Sequence, residues 1–411
     1  MIFQAAPLPP PHDMGSAKRN FPFLRENLKR HEVSVLSFGS PEDEQQFRKH
    51  YGGKCKHIRF VKNKRPRFIN YLHRIFLFLT GQSTFMLFKR RKFQQAIDEI
   101  TAIEKFDLIH CCYAMYGFHK LPEGIPLVGD THNVEADLLY HLYKKTNNIL
   151  LKVYYYQAYI TGRKVEINSL KKFDALTATT ENDFEKFRQD IPEIPMYVIQ
   201  NGVDPSFYEP TGVEPEPKMI VYMGLMSWYP NDHAIHYFLD NIFPLILAKE
   251  PGARLLIVGA NPSKKLLDHT SERVIVTGYV DDVRPHVARG EVFIIPLLIG
   301  SGIRGKALES MAMRIPIVST TLGCAGIHLE HEKSVLLADT PEQFAESVLR
   351  MFNNTELRKR IADSAFSIVR SRYDWTQKGV ELENVYQSVL KRREIILPAF
   401  CTNQVSSNID Q

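Results

Sequence analysis

Short apolar runs alternate with amphipathic segments along this chain, and the alternation occurs twice. In the first half, apolar runs such as Leu108–Cys112 are separated by segments of helical periodicity such as Ala17–Lys29. In the second half the alternation starts again at Met219–Met223. Strands that alternate with helices in this way are typical of parallel α/β domains. The 411 residues are enough for two such domains.

The two halves meet at a segment without periodicity. Asp204–Pro217 contains four prolines and several acidic residues, which indicates a linker. We therefore predict an N-terminal domain over residues 1–204, a linker over 205–217 and a C-terminal domain over 218–374. Two open α/β sheets joined in this way leave a cleft, and ligands of such sheets bind outside the carboxyl ends of the strands. The informative residues are therefore expected directly after strands.

A glycine-rich turn follows a predicted strand at Val292–Pro296 and precedes a predicted helix at Arg304–Met313. Gly300, Ser301 and Gly302 would let the backbone turn tightly and approach a ligand closely. The free amides at the start of the helix, together with its dipole, make this turn a ready site for an anion.

Two cations lie at the start of the same helix. Arg304 and Lys306 are unfavourable there by about 0.3–1 kcal/mol each, so a negative group is expected to compensate, and a diphosphate would suit. Glu309 lies three residues after Lys306, and its carboxylate could accept hydrogen bonds from the vicinal hydroxyls of a ribose. The pattern predicts a site for a nucleoside diphosphate; the alternative is an ordinary exposed charged face on a βα unit.

The run from Gly300 to Glu309 resembles the donor-binding motif of glycosyltransferase family 4, whose members have the GT-B fold. In that family two glutamates stand eight positions apart, the second holds the ribose, and nearby basic residues hold the pyrophosphate. Here Glu309 matches the second glutamate, whereas Ser301 stands where the first is usual, so the donor sugar stays open. The form G-x-G-x-R-x-K-x-L-E is similar to a subgroup common in bacterial exopolysaccharide assembly.

Other motifs follow in the family's order over roughly residues 1–395. The resemblance implies an α/β, GT-B architecture in which two Rossmann-like domains face each other across a cleft. It also implies that a helix over residues 375–396 crosses back to the N-terminal domain. The polar composition of residues 397–411 predicts a disordered tail.

The same resemblance assigns further site residues. Gly15 lies in a loop after the first strand that would approach the donor, although a plain helix cap by Ser16 is the alternative. His132, after a predicted strand at Pro126–Gly129, would contact the donor sugar and share in catalysis with Arg304 and Lys306; a structural histidine is the alternative. The donor-binding set implied by the resemblance is Gly15, Gly224, Asn231, Gly300, Ser301, Gly302 and Glu309.

Positive charge is concentrated in one segment. Residues 54–92 contain twelve Lys or Arg and no Asp or Glu, interleaved with aromatic residues. Nucleic acid, an anionic membrane surface and a solvated basic face over an aromatic core all fit this composition. The aliphatic run Ile75–Leu79 favours lipid over nucleic acid, and no nucleic-acid partner is expected. The candidate cations on this membrane or acceptor side are Lys62, Lys64, Arg65, Arg67 and Arg74.

Several patterns of other enzyme classes are missing from the sequence. It has no Asp-x-Asp pair and no His/Cys cluster with ligand spacing, so we expect no metal and no cofactor beyond the nucleotide-sugar substrate. It also lacks the GxxxxGK[ST] phosphate loop and a GxGxxG after the first strand. Five cysteines without a CxxC pair fit a reducing cytoplasm.

The expected function is that of a retaining glycosyltransferase. It would move a sugar from a nucleoside-diphosphate sugar to a glycan acceptor, lipid-linked in many family 4 enzymes, in exopolysaccharide or surface polysaccharide synthesis. We expect a cytoplasmic location, with peripheral binding to the inner face of the cell membrane as one option. Two other hypotheses stay open: a sugar-nucleotide epimerase of similar architecture, and a catalytically silent subunit that binds nucleotide sugars.

Overall fold

The chain divides between Ile199 and Gln200, and again between Lys378 and Gly379. Unit 1 comprises Met1–Ile199 together with Gly379–Gln411, and unit 2 comprises Gln200–Lys378. The computed structural model describes residues 2–5, 17–62, 67–209, 212–300 and 303–405.

Unit 1 is built on a parallel sheet of seven strands in the order β3-β2-β1-β4-β5-β6-β7. The strands are β1 (Ile2–Ala5), β2 (Val33–Phe38), β3 (Ile58–Val61), β4 (Leu108–Cys111), β5 (Leu127–Thr131), β6 (Ala175–Ala178) and β7 (Met196–Val198). The helices are α1 (Ala17–Leu28), α2 (Pro41–Tyr51), α3 (Arg67–Leu79), α4 (Arg91–Ile103), α5 (Glu135–Lys145), α6 (Ile149–Leu170) and α7 (Glu181–Asp190). Two 3-10 turns cover Thr84–Phe88 and Ala114–Phe118.

Strands β2, β4, β5 and β6 of unit 1 are buried along their whole length and mostly apolar, because both faces of a parallel sheet are covered. All six residues of β2 are buried, and Ile2 of β1 stands in register with Val33 on one side and Leu108 on the other. Helix α4 packs Phe93, Ile97 and neighbouring apolar residues into the core beside these strands.

Unit 2 repeats the plan with six parallel strands in the order β10-β9-β8-β11-β12-β13. These are β8 (Met219–Met223), β9 (Arg254–Val258), β10 (Val274–Val276), β11 (Val292–Ile295), β12 (Ile317–Ser319) and β13 (Leu336–Leu337). The helices are α8 (Tyr229–Tyr237), α9 (Phe243–Lys249), α10 (Lys264–Leu267), α11 (Arg284–Val287), α12 (Gly305–Ala312), α13 (Pro341–Asn353) and α14 (Thr355–Ile368). A π-helical turn, Phe238–Ile242, joins α8 to α9.

The predicted linker, residues 205–217, belongs to unit 2, and the first change of unit comes at residue 199 rather than 204. Two contacts explain why. The amide of Val203 donates to the Tyr373 carbonyl at 2.7 Å, and Glu216 forms ion pairs with Arg254, at 2.8 Å, and with Arg289. Both ends of the proline-rich segment are therefore fastened to unit 2.

The last helix, α15, extends from Trp375 to Val405. Its residues from Gly379 onward belong to unit 1, where the side chains of Leu382, Val385 and Tyr386 are buried. The predicted disordered tail over 397–411 is corrected for residues 397–405, which continue the helix. Pro398 lies within this part of the helix. Residues 406–411 lie outside the described part of the chain.

Candidate donor site and its surroundings

The carboxyl ends of β8 and β9 lie side by side in unit 2. Met223 is in register with Val258, and the Gly224 amide donates to the Val258 carbonyl at 3.0 Å. Gly259 has φ +147°, and a Cβ placed on it would stand 1.8 Å from the Gly224 carbonyl oxygen. Only glycine allows these two turns to meet, which brings the backbone at Gly224 to the edge of the sheet.

Helix α12 begins at Gly305, one residue later than predicted, with Arg304 as its N-cap. Its residues Ala307, Leu308, Met311 and Ala312 are all buried in the core of unit 2. This apolar stripe fixes the direction of the helix axis, so its free N-terminal amides open at the edge where β11 ends.

Lys306 turns from α12 toward two neutral polar groups. Its Nζ donates to Asn231 Oδ1 at 2.8 Å and to the Tyr222 hydroxyl at 3.1 Å. The same Nζ lies 4.3 Å from the centre of the Tyr222 ring. Burial raises the pKa of Tyr222, so its hydroxyl stays neutral. None of these contacts neutralises the charge of the ammonium group.

Gly224, Asn231 and Lys306, which the sequence named separately, come together in the structure. A Cβ on Gly224 would lie 2.8 Å from Asn231 Nδ2 and 2.9 Å from Lys306 Nζ. Asn231 is oriented by donating its Nδ2 to the Leu225 carbonyl at 2.9 Å. The absence of a side chain at Gly224 therefore lets Asn231 and Lys306 approach the backbone directly after β8.

Arg304 lies close to the glycine turn. Gly300 has φ +136°, and a Cβ on it would stand 3.0 Å from Arg304 Nη2. Burial lowers the pKa of the Arg304 guanidinium, which nevertheless keeps its charge because its ordinary value is 12.5. Ser301 and Gly302, two further predicted donor-binding residues, lie outside the described residues.

Glu309 is buried on α12 and is engaged by Tyr208. The Tyr208 hydroxyl donates to the Glu309 carboxylate; burial first, and then this carboxylate, raise the pKa of Tyr208. Sequence reasoning missed Tyr208 because it lies in the segment interpreted as a linker. The charged-face alternative is not supported at Glu309, because only 7% of the residue is exposed.

A second polar group lies at the ends of β4, β5 and β6 in unit 1. Asp130 belongs to β5 rather than following it, because the strand continues to Thr131. It forms a fully buried ion pair with Arg19, at 2.7 and 2.8 Å, and accepts from the Thr177 hydroxyl. Burial alone would raise the pKa of Asp130, but the Arg19 guanidinium outweighs it, and the pKa is lowered. The two partners are 111 positions apart, and no sequence pattern joins them.

His132 follows its strand, as predicted, but directly, because β5 continues two residues beyond the predicted end at Gly129. Its Nε2 stands 3.4 Å from Asp130 Oδ2, and its ring lies 6.1 Å from that of Tyr113. Glu135, at the start of α5, accepts hydrogen bonds from Tyr113 and Asn133, and burial raises the pKa of this carboxyl group. A histidine between two carboxylates was not foreseen from the sequence.

The predicted basic positions are only partly described. Lys62, just after β3, and Arg74, on α3, are exposed. Arg67 begins α3, whereas Lys64 and Arg65 lie outside the described residues, as does Gly15. Among the described helices, none is both long and apolar enough to cross a membrane.

Two family models match the chain, one over most of unit 1 and the first residues of unit 2, and the other within unit 2. The model for Glycosyltransferase Family 4 matches residues 23–207, and that for Glycosyl transferases group 1 matches residues 217–354. The chain is a member of glycosyltransferase family 4. The second match contains Gly224, Asn231, Lys306 and Glu309.

Relatives of this family 4 member include an uncharacterized 44.6 kDa protein in the cps region of Klebsiella pneumoniae, 23% identical over 69% of this chain and 75% of that protein. The capsular polysaccharide biosynthesis glycosyltransferase CapM of Staphylococcus aureus is 20% identical over 42% of this chain and 47% of its own length. The chain thus spans between about half and three quarters of the length of these curated relatives.

Among solved structures, HepE of Anabaena in complex with UDP superposes with a TM-score of 0.65 at 16% identity, over 94% of this chain and 99% of that one. At this identity the likeness concerns the fold, and it agrees with the two parallel α/β units of the GT-B fold predicted above.

Proposed function

We propose that this glycosyltransferase moves a sugar from a nucleoside-diphosphate sugar to a glycan acceptor in surface polysaccharide synthesis. The observation that carries the proposal is the convergence of Lys306, Asn231 and the bare backbone of Gly224 beside the N-terminus of α12. A diphosphate would there meet an ammonium group, free helix amides and, at Arg304, a guanidinium group.

The chemistry follows from charge. When the glycosidic bond to the donor phosphate breaks, negative charge grows on the leaving diphosphate. Lys306, Arg304 and the amides of α12 would stabilise that charge where it develops, and such preorganised electrostatics is worth about 10²–10³ in rate for one donor. In this proposal the two cations act without a metal ion, and the anomeric configuration is retained, as the family resemblance implies.

Glu309 supplies the nucleoside contact. Its carboxylate already accepts from Tyr208, and an ionised carboxylate has further lone pairs for the two hydroxyls of a ribose. HepE was solved with UDP and with UDP-glucose, so uridine nucleotides are the first donors to test.

The acceptor side is proposed from the relatives and from charge. CapM is named for capsular polysaccharide biosynthesis, and such glycans grow on acceptors that we propose to be lipid-linked here. The basic segment over residues 54–92 would then keep the enzyme at the inner, anionic surface of the membrane.

The test is a thermal-shift screen with nucleoside diphosphates and their sugar conjugates, with EDTA or with magnesium. A ligand at 100 times its Kd adds about 2.7 kcal/mol to the stability of the folded state. We expect a shift with one nucleotide that EDTA leaves unchanged and that Lys306→Ala abolishes. The matched control is Lys265→Ala, which removes an exposed lysine of the same unit.

A shift that appears only with magnesium would refute the metal-free mechanism. No difference between Lys306→Ala and Lys265→Ala would refute the donor site. Nucleotide release that requires the acceptor then separates glycosyl transfer from epimerisation and from silent binding.

A further inference from the structure

Helix α3 of unit 1 exposes its apolar side. Phe68, Leu72, Ile75 and Leu79 recur at intervals of four, three and four residues, which places them on one face of a helix. All four are exposed, Phe68 by 69% and Leu79 by 76%. Leu77 is the one buried side chain among those described for this helix, and it points the opposite way. The helix is therefore amphipathic with its apolar face outward.

Helix α6 shows the same pattern. Ile149, Val153, Tyr156 and Ile160 repeat the intervals of four, three and four, and all are exposed, Ile149 by 71%. The buried residues of this helix lie at other positions, namely Ala158, Gly162, Glu166, Ser169 and Leu170. The four exposed residues of α6 therefore do not belong to the core of unit 1.

The two helices lie next to each other, so the stripes belong to one surface. Gln157 of α6 donates its Nε2 to the Phe78 carbonyl of α3 at 2.7 Å. The rings of Phe78 and Tyr154 are 5.6 Å apart. We call the eight outward residues of the two stripes the α3–α6 face. Single exposed apolar residues are ordinary, but a contiguous patch of this kind marks a binding surface.

The charge around this face identifies what it binds. Residues 138–165 contain Lys144, Lys145, Lys152, Arg163 and Lys164 and no Asp or Glu, and α3 has no acidic residue either. The sequence pattern revealed the first acid-free segment, at 54–92, but not this second one. Lys144 and Lys152 lie over the Tyr143 ring at 5.8 and 5.5 Å, which keeps their ammonium groups beside the aromatic side chains.

Apolar side chains framed by cations and tyrosines fit a membrane interface with anionic lipid. A symmetric contact with a second copy of this chain would place the same cations against one another. Nucleic acid would leave the aliphatic side chains Ile149, Val153 and Ile160 without a partner.

We propose that the α3–α6 face binds the surface of an anionic membrane, with α3 and α6 lying in the plane of the head groups. The role extends the membrane location in the proposed function, but it needs no donor site. Helices of this kind bury their apolar side about 5–10 Å into the boundary between head groups and acyl chains. An acceptor carried on a lipid would reach unit 1 from this surface.

The test is flotation of the full-length protein with vesicles of phosphatidylcholine alone or mixed with phosphatidylglycerol. We expect at least a tenfold higher bound fraction on the anionic vesicles, and loss of that excess in Leu72→Glu and Val153→Glu. Leu267→Glu, at an exposed leucine of unit 2, is the matched control and should bind as the wild type does. Each side chain is exposed, so the variants should keep the wild-type Tm and nucleotide-induced thermal shift.

Equal flotation on the two vesicle types, or none, overturns the proposal. So does a concentration-dependent dimer in light scattering that Val153→Glu abolishes, because that result assigns the face to a second copy. The nucleotide shift is measured on the same variants, so failure of membrane binding is distinguished from failure of the donor site.

Discussion

At the scale of single residues, the proposed donor site includes a carboxylate whose hydrogen-bond partner the sequence did not predict. Tyr208 donates to Glu309, which is itself buried. A lost hydrogen bond to a charged group costs about 1.5–3 kcal/mol. We therefore expect Tyr208→Phe to weaken binding of the preferred nucleoside diphosphate roughly tenfold or more, measured by titration calorimetry.

Glu309→Gln tests the ribose contact itself. The wild type should prefer the ribonucleotide over its 2′-deoxy analogue, since Glu309 loses one donor with the analogue, and the amide variant should lose most of that preference. Tyr237→Phe removes a hydroxyl from α8 of the same unit and is the control. Equal affinity of wild type and Tyr208→Phe would show that Tyr208 does not position the carboxylate.

A second prediction at this scale concerns His110, which is buried in β4. Burial lowers the pKa of His110 from its ordinary 6.5 to about 4, and its Nδ1 lies 2.9 Å from the Tyr386 hydroxyl. The folded state holds the proton less well than the unfolded state, so stability is complete above pH 6.5 and falls as the pH drops toward 4. The difference between the pKa values corresponds to about 3 kcal/mol.

His110→Asn keeps an acceptor for Tyr386 but does not titrate, so the loss between pH 7 and pH 4.5 should be smaller in the variant. Hydrogen exchange of the β4 amides reports this for unit 1. The pH dependence of stability must be compared between the wild type and His110→Asn, because Glu166 affects stability in both. Burial raises the pKa of Glu166 to about 7, so its carboxyl group favours folding at lower pH. Parallel pH profiles for wild type and variant would rule out His110 as the source.

At the scale of elements, two glycines after neighbouring strands differ in one respect. Gly259 and Gly278 both have positive φ, +147° and +68°. A Cβ on Gly278 would meet nothing within 4 Å, whereas a Cβ on Gly259 would overlap the Gly224 carbonyl. We expect Gly278→Ala to cost about 1–2 kcal/mol of unfolding free energy, and Gly259→Ala to cost more than about 4 kcal/mol and to abolish the nucleotide thermal shift. A similar loss of unfolding free energy in the two variants would show that the ends of β8 and β9 tolerate separation.

The elements also show what sequence can and cannot predict. Apolar runs predicted strands to within a residue or two, as at Met219–Met223, because burial on both faces of a parallel sheet demands such runs. The side of a helix that faces the core was not predictable from the sequence. The apolar residues of α6 recur with the same period whether they point toward the core or toward the solvent. Gly224, Asn231 and Lys306 were each predicted, but their contact depends on the sheet order. The Arg19–Asp130 pair and Tyr208 depend on contacts between distant positions.

At the scale of the whole molecule, the two units carry different chemistry. Unit 2 holds Lys306, Asn231 and Glu309, the proposed nucleotide-binding residues, and unit 1 holds His132 between the carboxylates of Asp130 and Glu135. We propose that the first set binds the donor, and the family resemblance implies that His132 acts on the sugar during transfer. Binding and turnover should therefore respond separately to mutation.

His132→Ala should leave the Kd for the nucleoside diphosphate within about twofold of wild type and slow transfer about 10²–10⁴-fold, the range for a positioned side chain that acts in the transition state. Lys306→Ala should weaken binding and slow transfer together, because it removes a cation that contacts both ground state and transition state. Calorimetry and initial rates on the same preparations measure both the Kd and the rate of transfer.

His132→Asn keeps a polar group but cannot be protonated, so it separates the effect of charge from that of hydrogen bonding. Partial recovery of the transfer rate in this variant assigns His132 to a hydrogen bond with the sugar. A His132→Ala protein that binds nucleotide poorly would place this residue in nucleotide binding and end the proposed division between the units.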